Sequence, residues 1–178
     1  STKDDAAGEA FDKIAKLAGL GYPGGPHVDR LAREGRVNAF DLPRGLYHDG
    51  TFDFSFSGLK TAVRRVVERT TLAGGELNVP DLCASAQEAI IDVLVTKTMR
   101  AVDRHGVKAV VIAGGVSANS RLRERMQHEA TLRNIRFVAP RMGYCVDNAA
   151  MIACGGSFLF EAGRFTGLET APLARMPF

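Results

Sequence analysis

The sequence predicts a helix-rich α/β fold, and three observations carry that expectation. Residues 107–113 (Val-Lys-Ala-Val-Val-Ile-Ala) form a β-branched, near-continuously apolar run, the pattern of a central strand. A helical pattern follows it and then a second short apolar run, Ile135-Arg136-Phe137-Val138, so strand, helix and strand succeed one another as in a parallel pair with a crossover. Before these, most of the regular patterns are helical, with apolar positions at helical spacing in residues 5–18, 57–69 and the helix opened by Pro80.

Residues 5–18 read as a helix. Ala7, Phe11, Ile14 and Ala18 share a face, and Glu9–Lys13 and Asp12–Lys16 are charge pairs one turn apart. Gly19 and Gly21 end it. The loop Tyr22-Pro23-Gly24-Gly25-Pro26 places Pro26 in the first turn of a second helix, which Gly35 closes. Phe52-Asp53-Phe54-Ser55-Phe56 alternates with period two and predicts a short strand, after which Ser57 caps a helix running to about Arg69. Residues 70–79, with Gly74 and Gly75, predict a surface loop. Pro80 opens a long helix that stops at Gly106, buried through its apolar middle at 89–95. Beyond the strand at 107–113, the turn 114–119 leads into a helix carrying Leu122, Met126 and Ala130. After the second strand, residues 144–148 lead into a last helix containing Ala149, Ile152 and Phe160. Residues 163–178 predict irregular structure.

Composition narrows the function classes. The chain has 178 residues, 46% hydrophobic and 24% charged, which is globular rather than disordered. A net charge of +3 permits a nucleotide or nucleic-acid partner without demanding one. No apolar stretch approaches the ~20 residues of a membrane span, and the first residues carry no leader pattern, so a cytoplasmic chain with no membrane partner is expected. The absence of an initiator Met suggests a processed product or a fragment. Cys83, Cys145 and Cys154 lack metal or redox spacing and read as buried small hydrophobes. His27, His48, His105 and His128 are scattered and read as solvated. Arg64, Arg65, Arg69, Arg121, Arg123 and Arg125 read as solvated helix faces, with a phosphate footprint as the alternative. Nineteen glycines, four doublets among them, mark places where backbone turns sharply or lies against a ligand.

Three constellations could carry chemistry. Gly114-Gly115-Val116-Ser117-Ala118-Asn119 joins a strand end to a helix. Glycines there let a ring or phosphate approach, helix-start N–H groups donate to anions, and Asn119 suits a ribose or adenine edge; a plain capped turn has the same pattern. Asp147 follows the second strand, either as a helix cap or as a hard ligand for a divalent ion. Asp12 and the Gly24-Gly25 loop are either a surface charge pair beside a turn, or two walls of a ligand site. Ligands of parallel sheets gather at the carboxyl ends of strands, so the turns holding Asn119 and Asp147 are expected to wall one pocket together with the opening helix. No nucleophile–base pair stands out, and no catalytic side chain is assigned.

Five segments occur in one order: residues 4–13 (Asp-Asp-Ala-Ala-Gly-Glu-Ala-Phe-Asp-Lys), 22–26 (Tyr-Pro-Gly-Gly-Pro), 54–61 (Phe-Ser-Phe-Ser-Gly-Leu-Lys-Thr), 113–119 (Ala-Gly-Gly-Val-Ser-Ala-Asn) and 145–153 (Cys-Val-Asp-Asn-Ala-Ala-Met-Ile-Ala). In these the chain closely resembles the C-terminal half of the tRNA N6-adenosine threonylcarbamoyltransferase family, once labelled O-sialoglycoprotein endopeptidases, through about Phe160. The resemblance implies the actin, Hsp70 and sugar-kinase fold of RNase H-like topology. Residues 1–178 would be one lobe of a bilobal enzyme, with a helical part inserted at about 5–105 and the N-terminal lobe absent. It implies transfer of threonylcarbamoyl from threonylcarbamoyl-AMP to N6 of the adenosine at position 37, beside the anticodon, in tRNAs reading codons that start with A. Asp12, Gly25 and Asn119 match positions that hold the adenylate (or ATP), Gly114 and Gly115 the adenosine loop, and Asp147 a carboxylate ligand of Fe2+ or Zn2+. Asp29 falls where some members have an acidic residue near the ribose. Companion subunits are implied, a related non-catalytic one and a small ATPase.

The chain also departs from the family. The Gly-rich phosphate loop and the His-x-x-x-His pair of the N-terminal lobe are missing, Val146 replaces a common Thr, and the tail after Gly167 lacks an Arg-Pro-Arg-Trp run. The segment alone is therefore expected to be catalytically silent and to bind metal poorly, Asp147 being its only protein ligand. Two rival readings remain. A sugar- or acetate-kinase lobe of the same fold would share Gly114-Gly115 but not residues 54–61. The other rival is a non-catalytic lobe that binds nucleotide or a partner. The metallopeptidase reading suggested by the older label lacks ligands and a general base.

Overall fold

A computed structural model describes residues 1–171 of the chain, and these fall into two compact units, the first Ser1–Cys145 and the second beginning at Val146. In the first, α1 (Ala7–Leu17), α2 (Gly24–Ala32), α3 (Ser57–Leu72) and α4 (Val79–His105) precede β1 (Ala109–Val111), α5 (Ser120–Leu132) and β2 (Arg136–Val138). Strands β1 and β2 pair in parallel, Val110 opposite Phe137, as the strand–helix–strand pattern requires. They are only three residues each, and Val111 is exposed, so the run at 107–113 is not a strand covered on both faces here.

Helix termini follow the sequence signals closely. Gly19 at φ +73° ends α1, with its N–H and that of Leu20 closing onto the carbonyls of Lys16 and Ala15. Asn78 caps α4 by accepting from Asp81 N–H at 2.9 Å, and Gly106 in the left-handed region stops it. Helix α3 runs on to Leu72, so the predicted loop is shorter. Its start differs too. Ser57 is the first helical residue, and the cap comes from Asp4, whose carboxylate accepts from the Phe56 N–H (2.8 Å), the Ser57 N–H (3.3 Å) and the hydroxyls of Ser55 and Ser57. Partial burial raises the Asp4 carboxyl, but these bonds outweigh it and hold the group below its ordinary value. The strand expected at 52–56 reduces to a single bridge between Phe54 and Thr2, because residues 1–4 offer it only one extended partner.

Two apolar cores share one helix. Phe11, Ile14, Val28, Leu42, Leu59, Val63, Leu82 and Ile90 form the first, among α1 to α4. Ile91, Val95, Met99 and Val102 of α4 form the second with Val110, Leu122 and Met126. With 27 residues, α4 extends about 40 Å and reaches both.

The irregular stretch from Arg36 to Thr51 is tied along one side of α4. Asp81 receives the Arg36 N–H (2.7 Å) and guanidinium (2.8 Å), which keeps its carboxyl below the usual range. The Ser85 hydroxyl accepts from Phe40 N–H (3.1 Å), Asp92 pairs with Arg44 (2.9 Å), and Thr96 meets the Tyr47 hydroxyl (3.0 Å). Lys97, fully buried, donates to Asp49 (2.7 Å) and to the Thr51 carbonyl (3.2 Å). These polar residues recur about every four positions, so one face of a helix with a buried middle serves as a polar rail.

In the second unit α6 (Ala149–Glu161) is capped by Asn148, which accepts from Met151 N–H at 3.0 Å, and closed by Gly163 at φ +65°. Among the described residues its apolar side chains Met151, Ile152 and Phe158 are exposed. Cys154 on it is exposed, whereas Cys83 and Cys145 are buried as expected. Residues 162–171 form no further helix or strand, and the remainder of the predicted irregular tail lies outside the described residues.

Candidate nucleotide site

Three elements of the first unit converge on the turn after β1. Gly114 there has φ +79°, a conformation only glycine adopts without strain, and Gly115–Ala118 makes a single 3-10 turn that delivers Asn119 to the start of α5. Asn119 is nearly buried. Its Oδ1 accepts from Leu122 N–H at 2.9 Å, which fixes the amide's orientation, and its Nδ2 donates to Gln87 Oε1 at 2.7 Å. The capping reading of this motif therefore holds, and one amide hydrogen of Asn119 is left over for a ligand.

Helix α1 packs on the same turn: a Cβ at Gly8 would lie 3.5 Å from Val116 Cγ2. Asp12 is one helical turn further along the same face of α1. It does not pair with Lys16. Its Oδ1 accepts from the Gly24 N–H at 2.7 Å, fastening α1 to the first residue of α2, while Glu9 does pair with Lys13. Gly24 is required by contact, since a Cβ there would come within 2.5 Å of Ala15 Cβ and 2.8 Å of Asp12 Cα. At Gly25 a Cβ would meet nothing within 4 Å. Beside Asp12 lies a groove of about 270 Å³, lined also by Lys13, Lys16, Gly21 and Tyr22.

Asp29 sits one turn beyond Gly25 on α2 and closes the arrangement. Its Oδ1 accepts from the Ser120 hydroxyl at 2.8 Å, and its Oδ2 from Ser120 N–H (3.3 Å) and from Arg33 (3.2 Å). Asp29 and Asn119 thus occupy the Ser120 and Leu122 N–H groups at the start of α5, two of the donors expected to be open to an anion. Asp12, Gly25, Asp29, Gly114, Gly115 and Asn119 are drawn to one region of the first unit by these contacts; Asp147 belongs to the second unit. Asn148, not Asp147, makes the cap of α6.

Sequence reasoning passed over Gln87, Glu88, Ser120 and the role of the α5 arginines. Glu88 accepts from Arg121 Nε (2.9 Å) and Nη2 (3.0 Å) and from Arg125 (2.5 Å), and Arg125 also reaches Asp92 (3.1 Å). The hydrogen bond to Glu88 raises the Arg121 guanidinium further above its already high value. Arg121, Arg123 and Arg125 are half-buried rather than solvated, and only Arg64, Arg65 and Arg69 of α3 match the solvated reading. His27 is likewise half-buried, whereas His48, His105 and His128 are exposed. The available signal was the pair Gln87-Glu88 immediately before an all-round apolar stretch, where a polar residue must find a partner.

Among the described residues no three His, Cys, Asp or Glu side chains gather closely enough to hold a metal ion. Asp147, the ligand that the resemblance implies, has no such neighbours and by itself does not make a metal site. No described helix is long and apolar enough to cross a membrane.

Fold and site together define an α/β protein in which a glycine turn at the end of a parallel strand meets two helices. The sequence profile of the tRNA N6-adenosine threonylcarbamoyltransferases matches residues 1–154. The chain belongs to that family, whose fold is that of actin, Hsp70 and the sugar kinases. It is 50% identical over 172 residues to the tRNA N6-adenosine threonylcarbamoyltransferase of Bdellovibrio bacteriovorus, covering 97% of this chain and 50% of the relative. The proteins of that name from Geobacter metallireducens and Fervidobacterium nodosum are 51% and 49% identical over 176 and 173 residues. They cover 99% and 96% of this chain, and 52% and 51% of those relatives. The chain spans about half the length of the curated relatives it matches.

Proposed function

We propose that this chain is the adenylate-binding part of an enzyme that transfers threonylcarbamoyl from threonylcarbamoyl-AMP to N6 of adenosine 37 in tRNAs reading codons that begin with A. The observation that carries the reading is the convergence of α1, α2 and the turn before α5, made by Asp12–Gly24, Gly8–Val116 and Asp29–Ser120. These contacts collect the adenylate-holding positions that the resemblance assigns. In the transfer the N6 amine attacks the carbamoyl carbon, the bond from that carbon to the phosphate oxygen breaks, and AMP leaves as the amine loses a proton. The residues of this chain orient and shield. Gly114 and Gly115 admit the flat adenine, the spare amide hydrogen of Asn119 meets a ribose or base acceptor, and Gly25 leaves room against α2. Enclosure of the adenylate would slow its hydrolysis. Asp147 is proposed to contribute a carboxylate toward a divalent cation, Fe2+ or Zn2+, whose other ligands lie outside this sequence. Companion subunits and a cytoplasmic setting are part of the same proposal.

The test joins this segment to the N-terminal portion that its relatives possess, incubates it with tRNA and threonylcarbamoyl-AMP, and digests the tRNA for mass analysis. The threonylcarbamoylated nucleoside is expected. Its absence, while the Geobacter metallireducens enzyme forms it in parallel, overturns the reading.

A further inference from the structure

Arg123 differs from the other two arginines of α5. Arg121 and Arg125 end on carboxylates, whereas Arg123 forms no ion pair among the described residues. Its guanidinium spans two backbone turns instead. Nε donates to the Ser117 carbonyl at 2.6 Å, inside the turn that follows β1. Nη2 donates to the Pro140 carbonyl at 2.6 Å and to Cys145 Sγ at 3.2 Å, in the segment that follows β2. All of these groups lie in the first unit.

Each turn closes on its own backbone bonds, and Arg123 ties one to the other. Each leaves a strand of only three residues, so the sheet ladder holds little of either. Ser117 is buried with its hydroxyl unpartnered, so that side chain contributes no bond that would fix the turn. A planar fork with several donors can hold two carbonyls at once, which a lysine ammonium on a flexible stem does poorly.

We propose that Arg123 is a positioning residue for the nucleotide turn: it holds Gly114–Asn119 in the shape that receives the adenylate by bracing it on residues 140–145. This rests on the adenylate reading given above. The three free cysteines supply a readout that does not depend on activity, because Cys154 is exposed, Cys145 lies under the brace, and Cys83 lies in the first core.

Arg123→Met and Arg123→Lys are made in this chain and alkylated with N-ethylmaleimide, and each cysteine is quantified by peptide mass analysis. Cys145 labelling is expected to quicken about tenfold in Arg123→Met, the change that follows loss of a charge-assisted hydrogen bond from a local opening equilibrium, and less in Arg123→Lys. Cys83 stays protected as the check on the fold. Equal protection of Cys145 in Arg123→Met and the parent overturns the brace. If Arg123→Met also exposes Cys83, Arg123→Lys decides by the same criterion. In the joined enzyme, KM for threonylcarbamoyl-AMP rises about tenfold in Arg123→Met while kcat and KM for tRNA hold within about twofold. No change in the adenylate KM, or an equal change in both KM values, overturns the positioning role. A parent enzyme without any turnover removes the adenylate reading and the positioning role with it, while Cys145 labelling still decides whether the brace exists.

Discussion

Replacing Glu88 by Ala tests whether α5, and with it Asn119, is carried on α4 by charge. Glu88 is 8% exposed and accepts from two guanidinium groups. Removing one partner from a buried ion pair costs about 3–5 kcal/mol, because the remaining charge stays desolvated. Here the remaining charges are not abandoned: Arg121 keeps Glu124 at 2.8 Å and Arg125 keeps Asp92 at 3.1 Å, and their side chains are 32% and 25% exposed. Water and those carboxylates offset part of the loss, which brings the expected cost to about 2–3 kcal/mol. For a chain of this size that lowers Tm by about 5–10 °C. Glu88→Gln keeps one acceptor and the volume and is expected to lose about half as much. Thermal unfolding followed by far-ultraviolet circular dichroism, at one pH and salt concentration, reads both variants. A Glu88→Ala protein melting within about 1 °C of the parent, or a Glu88→Gln protein less stable than Glu88→Ala, would refute the reasoning.

Three further outcomes are expected. Gly24→Ala must push α2 off α1, costing about 1–3 kcal/mol in denaturant unfolding, whereas Gly25→Ala leaves unfolding unchanged and instead raises the adenylate KM of the joined enzyme. Gln87→Leu strands the Asn119 amide without its acceptor; about 1–2 kcal/mol of stability and a weaker adenylate KM should be lost together, read by unfolding and by steady-state kinetics. Burial pushes the Cys83 thiol up to about 11. The folded state thus holds its proton longer than the unfolded chain does, so stability is full below about pH 8.5 and falls as pH rises toward 11. Unfolding of the parent and Cys83→Ala across that range should show the shallower decline in the variant.

Much of the fold was legible because its signals are local. Gly19, Gly106 and Pro80 mark helix ends through conformations that the neighbouring few residues dictate, although the cap itself comes from Asn78, which the sequence reading did not name. The parallel pair followed from two apolar runs with a helix between them. What could not be read depends on partners far along the chain. Asp4 caps a helix more than fifty residues away, Asp12 turns from a plausible partner four residues on to the Gly24 N–H, and the tether of residues 36–51 to α4 pairs side chains some forty-five to fifty-three positions apart. No periodicity encodes such matches. At the site, the glycine turn and Asn119 announced themselves by their place after an apolar strand. Asp29 was named, yet its bond to Ser120 arises only when α2 and α5 meet. Arg123 reads as one more surface cation until two carbonyls from different turns are seen to share it.

Helix α4 supplies side chains to both apolar clusters, so its unfolding removes part of each. The bundle of the first hundred residues and the small sheet beyond it are therefore expected to melt as one cooperative body, with hydrogen exchange slowest at the amides near Ile90 and Ile91. A ligand gripped at the strand-end turn would in this way steady residues at the far end of the same rod.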